Sequence, residues 1–108
     1  MTLSRSGLYR LDGHEPVACL TVGEWGEWFE HADRQVARTV CPNGVGVSTV
    51  FLGVDIQIHE DGKPHLFETM IFGGRHDQAQ WRWATWDDAV EGHAVAVALA
   101  EADDPEAA

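Results

Sequence analysis

The sequence predicts an α+β fold: a mostly antiparallel sheet of about five to six strands with two helices on one face, in the order β-β-α-β-β-β-β-α. Short segments rich in β-branched and aromatic residues are separated by glycine-containing turns, which is typical of antiparallel strands. Two other segments repeat apolar residues every three or four positions, which is typical of amphipathic helices. A chain of 108 residues supports one hydrophobic core, so we expect a single domain with an ordered part at about residues 7–100.

The N-terminal part predicts a hairpin and a helix. Residues 8–11 and 17–20 have strand character and flank a polar segment that contains Asp12-Gly13, a common turn sequence. Thr21 is suited to cap the following helix, with Glu24 reaching back to it as in a capping box. This helix is expected to pack on the sheet through one apolar stripe, formed by Val22, Trp25, Trp28, Phe29 and Ala32.

Three strands are predicted in the middle of the chain. Residues 34–41 alternate apolar and polar side chains, and residues 45–54 form a β-branched run suited to a central strand. Residues 56–60 are predicted to continue that strand as far as an Asp61-Gly62 turn, after which residues 65–72 return beside it.

The C-terminal part predicts a short strand at residues 81–83 and the clearest helix of the chain. Thr85 is suited to cap this helix, and Asp87 and Asp88 lie in its first turn, where the helix dipole favours acidic side chains. His93 lies on the inward side, where we expect a hydrogen-bonded structural histidine. The residues predicted to form the core are Trp25, Phe29, Phe51, Leu52, Met70, Phe72, Val90 and Val97.

The balance of acidic and basic residues restricts the classes of molecule that the protein can bind. Eighteen acidic and seven basic residues give a net charge of -11, which disfavours nucleic-acid binding because phosphates are repelled. The same charge suits plain solubility, a basic protein partner or mimicry of a nucleic acid. Part of it lies in an acidic C-terminal tail, residues 101–108. No apolar run approaches the roughly 20 residues that cross a bilayer, and no signal peptide is recognised, so we expect cytoplasmic localisation and no membrane partner.

Sequence motifs for catalysis and for cofactor binding are lacking. Ser48 lies within a predicted strand, and Cys19 and Cys41 end strands, so none lies in the sharp turn typical of a nucleophile. The chain contains no P-loop and no dinucleotide-binding glycine motif, and no two of its six histidines have the helical spacing of a metal site. We therefore expect a non-enzymatic protein without catalytic residues, metal or cofactor, and we expect both cysteines to be buried thiols.

The predicted hairpin around residues 61–62 suggests one binding pocket. If these two residues form the turn, Asp55 lies directly opposite Glu68, and two facing carboxylates repel each other unless a cation or strong donors lie between them. The pair therefore predicts either a ligand pocket at the end of the sheet or an ion-paired surface cluster. The candidate ligand-binding residues are Thr49, Phe51, Asp55, Glu68, Thr69, Arg75, Arg82 and Trp83.

Two tryptophans and the edges of the sheet are relevant to whether the protein forms a homo-oligomer. Trp81 and Trp83 point to the same face of their strand, either exposed as a stacking platform or interface anchor, or buried under the last helix. A small sheet leaves two edges with unpaired backbone groups, so we expect a homo-oligomer, most simply a two-fold dimer anchored by one of these tryptophans.

Three blocks of sequence resemble a family of small proteins encoded by bacteriophages and prophages. They read VSTVFLG-x-D at residues 47–55, FETM-[IV]-FGG at 67–74 and R-x-ATW-x-x-A-x-x-GH at 82–93. Ile56 is a departure, because the family often has His at that position. The resemblance implies an accessory protein that counters host defence.

Three functions are compatible with this resemblance. The first is sequestration of a small nucleotide immune signal, with Arg75 or Arg82 on its phosphates and an aromatic ring on its base. The second is acidic inhibition of a basic host protein, for which mimicry of a nucleic acid is one route. The third, and weakest, is a metal-dependent hydrolase centred on Asp55 and Glu68.

Overall fold

The computed structural model describes residues 7–102, and it confirms the α+β class and the predicted order of elements. Residues 103–108 of the predicted acidic tail, like residues 1–6, lie outside the described part of the chain. The elements are β1 (Tyr9–Asp12), β2 (Glu15–Ala18), α1 (Val22–His31), β3 (Gln35–Val40), β4 (Gly46–Phe51), β5 (Phe67–Phe72), β6 (Gln80–Trp83) and α2 (Trp86–Glu101).

The strands divide between two antiparallel sheets. β1 and β2 form a separate hairpin, whose turn contains Gly13 with a φ of 62°. The other four strands form a meander in the order β3-β4-β5-β6, each antiparallel to its neighbour. The two sheets are joined by an isolated bridge between Leu8 and Val54 and by a hydrogen bond of 2.8 Å from the Tyr9 N–H to the Gly53 carbonyl.

The prediction that the central strand continues to residue 60 is wrong. β4 ends at Phe51, and residues 52–66 form a long connection without a strand, in which Val54 makes the isolated bridge to Leu8. Gly53 has a φ of 79°, a left-handed conformation that carries the chain out of the sheet. Ile56 and Ile58, expected on the strand, are 81% and 99% exposed. Their β-branched side chains therefore have no strand partner to pack against.

The pairing predicted from the Asp61-Gly62 turn is wrong for the same reason. β5 pairs directly with β4, and this register places Glu68 opposite Val50. Asp55 lies in the preceding connection and is not a cross-strand partner of Glu68. The strand register therefore removes the argument for a carboxylate pocket shared by these two residues.

Each helix begins at a threonine cap. The Thr21 hydroxyl accepts a hydrogen bond of 3.1 Å from the Glu24 N–H, and the Glu24 carboxylate accepts one from the Leu20 N–H, one residue before the position predicted. The Thr85 hydroxyl accepts a hydrogen bond of 3.1 Å from the Asp88 N–H. Neither helix of the described chain has both the length and the apolar character needed to cross a bilayer.

The core lies between α2 and one face of the four-stranded sheet, with α1 closing one end. There, the Trp28 ring packs edge-on against Phe51, and the Trp25 indole N–H donates to the Gly53 carbonyl over 3.0 Å. One cluster of buried residues contains Tyr9, Phe51, Leu66, Phe67 and Ala89, and a second contains Cys41, Val45, Val47, Ile71, Ala96 and Ala100. Both cysteines are buried as predicted, and burial raises the pKa of both thiols.

Two of the predicted core residues are exposed. Phe72 is 50% exposed because it lies on the sheet face away from α2, and Val90 is 46% exposed because it lies on the outer side of that helix. Phe51 is fully buried as predicted. The other predicted core residues are half-buried: Trp25, Phe29, Leu52, Met70 and Val97.

Candidate functional site

The two faces of the four-stranded sheet differ in what covers them. α2 contacts all four strands on one face, and α1 packs from the same side through Trp28 on Phe51. No helix or strand within residues 7–102 packs on the other face, which we call the open face. Strand alternation assigns these residues to it: Arg38, Val40, Gly46, Ser48, Val50, Glu68, Met70, Phe72, Gln80 and Arg82.

The open face contains a shallow depression of about 350 Å³. Its wall includes the half-exposed ring of Phe72, and Gly46 lies directly across the strand pair from that ring. Because Gly46 has no side chain, nothing covers the ring from β4. A Cβ added at Gly46 would lie 3.9 Å from the Phe72 Cβ, an ordinary contact. The lining combines apolar, polar and charged residues, and comprises Gln35, Arg38, Gly46, Val47, Ser48 and Phe72.

Arg38 supplies the positive charge of this depression. Its guanidinium is exposed and forms no ion pair with any residue of the described chain. Other arginines are engaged: Arg82 contacts Glu68 at 3.1 Å, and Arg10 lies 3.9 Å from Glu24. Arg34 donates to the Phe51 carbonyl and stacks over Phe29. An unpaired cation and an exposed aromatic ring thus line the same depression in a chain of net charge -11, and together they suit a planar anionic ligand.

The opposite, covered face contains a buried chain of hydrogen bonds. The Trp83 indole N–H donates to the Thr69 hydroxyl over 3.0 Å, and the Thr69 and Thr49 hydroxyls are 2.6 Å apart. Thr49 lies 2.7 Å from Nδ1 of His93, whose Nε2 lies 2.9 Å from the Thr39 hydroxyl. His93 is therefore the hydrogen-bonded structural histidine that the sequence predicts.

The indole N–H can only donate, so the Thr69 hydroxyl accepts from it, whereas each threonine hydroxyl can both donate and accept. A neutral imidazole fits the two His93 contacts, because one ring nitrogen can accept from a threonine hydroxyl while the other donates to one. Burial lowers the pKa of His93, which agrees with a neutral ring.

We expect the stability of the protein to fall as the pH falls below about 6.5, the ordinary histidine value. Between that value and the lowered pKa of His93, the unfolded chain binds a proton that the folded chain does not bind. Acid therefore favours unfolding. One such proton gives at most about 1.4 kcal/mol per pH unit. Urea unfolding between pH 8 and 5 measures this slope. His93→Gln should be less stable at pH 8, and its free energy of unfolding should change less with pH. His31→Gln, at an exposed position, should keep the wild-type dependence on pH. Equal slopes for the wild type and both variants would contradict a buried, neutral His93.

Asp55 holds the long connection between β4 and β5 in place. Its carboxylate accepts hydrogen bonds from the backbone N–H groups of Gln57 and His65, at 2.9 and 2.6 Å, and lies 2.6 Å from Nε2 of His59. Burial alone would raise the pKa of Asp55, but the hydrogen bonds from His65, Gln57 and His59 outweigh it and hold that pKa below its usual range. The His59 and His65 rings stack at 3.7 Å, and His65 lies 2.9 Å from Asp61. This carboxylate is engaged by its own loop and has little capacity left for a ligand.

The predicted site residues are divided among four places. Thr49, Thr69 and Trp83 belong to the buried hydrogen-bond chain, and Phe51 lies in the core. Glu68 and Arg82 pair with each other on the open face, Asp55 lies in the β4–β5 connection, and Arg75 is exposed in the β5–β6 connection. Within residues 7–102, no group of three or more His, Cys, Asp or Glu side chains is arranged to hold a metal ion.

Sequence reasoning missed the residues of the open-face depression. Arg38 and Ser48 pair across β3 and β4, and Gly46 pairs with Phe72 across β4 and β5. The correct strand register would have placed these four on one face, but Phe72 was assigned to the core. Comparison of the chain with protein-family models, curated protein sequences and solved structures gives no match.

Proposed function

We propose that this protein binds and sequesters a small nucleotide-type ligand on the open face of its sheet, without chemical turnover. The observation that carries the proposal is that the unpaired Arg38 and the exposed Phe72 ring line one depression of about 350 Å³. That volume is in the range of small-molecule sites. Together with the resemblance to bacteriophage proteins, it suggests an accessory protein that captures an immune signal in the host cytoplasm.

The chemistry of the depression suits the two parts of a nucleotide. A base can stack on the Phe72 ring, because stacking on an aromatic side chain accepts every base. The Arg38 guanidinium can donate two parallel hydrogen bonds to a phosphate. Ser48 and Gln35 provide donors and acceptors for the edge of a base or for a ribose.

The titratable side chains of the open face support capture rather than catalysis. Those described are Arg38, Arg82 and Glu68, and the Glu68 carboxylate is held by Arg82 at 3.1 Å. An arginine remains protonated and cannot act as a base, and Glu68 is engaged in an ion pair. A bound ligand is therefore expected to be released chemically intact.

The first experiment identifies the ligand. Protein purified from cells is denatured, and the released small molecules are analysed by mass spectrometry. We expect an intact nucleotide in near-stoichiometric amount. Conversion of more than one equivalent of that nucleotide per chain would contradict the capture mechanism.

Titration calorimetry with ATP, cyclic di-AMP and ADP-ribose as probes then locates the site. Arg38→Gln is expected to weaken binding of the best probe tenfold or more, because a charged hydrogen bond contributes about 1.5–3 kcal/mol. Gly46→Val should also abolish binding by covering the Phe72 ring, while its Cβ meets no clash. Arg10→Gln, on the other sheet, is the matched control and should bind normally. Normal binding by Arg38→Gln and loss in Arg82→Gln would move the site to the predicted phosphate contact.

A second candidate function is inhibition of a basic host protein. Glu27, Glu30 and Asp33 are exposed along and just after α1, and they contribute to the net charge of -11. Such a surface attracts a basic partner at long range, and the attraction is screened by salt. Replacing all three with Gln or Asn should leave nucleotide binding unchanged but abolish binding to such a partner. Retained activity against the host in that triple variant would exclude this function.

A further inference from the structure

β6 forms an edge of the four-stranded sheet. Within the described chain it pairs only with β5, in a regular register from Gln80 to Trp83. The Ile71 N–H donates to the Ala79 carbonyl, and alternation from that point directs the backbone groups of Gln80 and Arg82 away from β5. The opposite edge, β3, carries a bulge between residues 35 and 37, a feature that discourages pairing with another chain.

The flank of α2 above β6 is apolar. Val95 is 70% exposed and Leu99, one turn further on, is 36% exposed. Between these side chains and the strand lies an open cavity of about 90 Å³. Its lining is almost wholly apolar and consists of Trp81, Trp83, Gly92, Val95, Ala96 and Leu99.

The same flank is nearly free of charge. Residues 92–100 contain no acidic or basic side chain apart from the buried, neutral His93, although the whole chain carries a net charge of -11. Helical spacing places two acids toward the N-terminal end of this flank, with Glu91 one turn and Asp88 two turns before Val95. Two copies of so acidic a chain repel each other least where they meet through an uncharged surface.

We propose that this protein is a two-fold dimer formed by antiparallel pairing of β6 with β6 of a second copy. Strands paired in this way are related by an axis normal to the sheet, so both α2 helices lie on the same side. The Val95 and Leu99 side chains of each helix then face those of the other above the seam, next to the cavity beside Trp81. A second copy of the chain would both pair with the open edge of β6 and cover the apolar flank of α2.

This arrangement leaves the proposed ligand site accessible. Both open faces lie on the side of the eight-stranded sheet away from the helices. Each Arg38 lies on β3, which is the strand farthest from the seam. The dimer and the ligand site are therefore independent, and failure of one does not imply failure of the other.

Light scattering at low micromolar protein and moderate salt tests the dimer. The wild type is expected at twice the chain mass of 11.9 kDa. Val95→Lys and Leu99→Lys should each return the mass to that of one chain, since both place a charge in the seam. Val90→Lys is the matched control, because Val90 is an exposed valine of the same helix on the other flank, and it should remain dimeric. A wild-type mass of one chain, or equal masses for the Val95 and Val90 variants, would overturn the proposal.

Amide hydrogen exchange tests the strand pairing itself. In the dimer, the N–H groups of Gln80 and Arg82 should exchange at least tenfold more slowly than in the monomeric Val95→Lys variant. Circular dichroism of that variant checks that its fold is intact, and Leu99→Lys replaces it if it is not. Fast exchange of both amides in a dimeric wild type would overturn the pairing through β6.

Discussion

Phe51→Ala is expected to reduce the free energy of unfolding by about 3–5 kcal/mol, whereas Phe72→Ala should reduce it by less than about 1 kcal/mol. The Phe51 ring is fully buried against Trp28 and Phe67, so its removal leaves a cavity that these neighbours cannot fill. The Phe72 ring is half exposed on the open face, and water already contacts it.

Urea unfolding of both variants measures this difference. Since the same substitution is made at the end of two neighbouring strands, the pair is internally controlled. Equal losses of stability would show that the open face is covered in solution. The small loss expected for Phe72→Ala also makes this variant usable in ligand titrations, where it should bind nucleotides weakly while remaining folded.

Gly92→Ala is expected to destabilise the protein by about 1–3 kcal/mol, although alanine favours a helix by about 1 kcal/mol over glycine. A Cβ at this position would overlap Cζ2 of the Trp83 indole and lie 2.5 Å from its Cε2. Trp83 cannot move freely, because its N–H is bonded to Thr69 at the start of the buried chain. The substitution therefore separates α2 from β6 or breaks that hydrogen bond.

Gly26→Ala provides the control for Gly92→Ala. Gly26 lies within α1, and a Cβ there would meet no atom within 4 Å. This variant should gain about 0.5–1 kcal/mol from helix propensity alone. Thermal unfolding of the two variants should thus shift in opposite directions, and a stabilised Gly92→Ala would contradict the close contact of Trp83 with the helix.

The order of strands and helices was predictable because its signals are local. Thr21 and Thr85 begin helices through hydrogen bonds to residues three positions ahead, and such pairs can be read from spacing alone. Turn residues such as Gly13 similarly mark chain reversals. Local chemistry of this kind does not depend on which strands later become neighbours.

The side of β5 that points into the core was not predictable from its sequence. Phe67, Thr69 and Ile71 lie inside, whereas Glu68, Met70 and Phe72 lie outside, so each face carries two large apolar side chains. Hydrophobic alternation gives no preference between these faces. The candidate site was misplaced as a consequence, because Phe72 was assigned to the core.

The error around Asp61-Gly62 has a different physical cause. The turn sequence and the flanking isoleucines favour a hairpin, but the left-handed Gly53 ends β4 before them. The segment is instead held by the Asp55 carboxylate, which bonds to N–H groups two and ten residues ahead. A side chain that replaces strand pairing in this way leaves no periodic pattern in the sequence.

The ambiguity of β5 also shows what the buried threonines contribute. If the strand slipped by one residue, Met70 and Phe72 would enter the core, and little hydrophobic free energy would be lost. The slip would nevertheless bury the Glu68 carboxylate and remove the Thr69 hydroxyl, which would leave the Thr49 hydroxyl and the Trp83 indole without this partner. Polar groups, rather than apolar ones, therefore select the correct strand register. The buried hydroxyls raise the free energy of the slipped register, because that register leaves hydrogen bonds unmade.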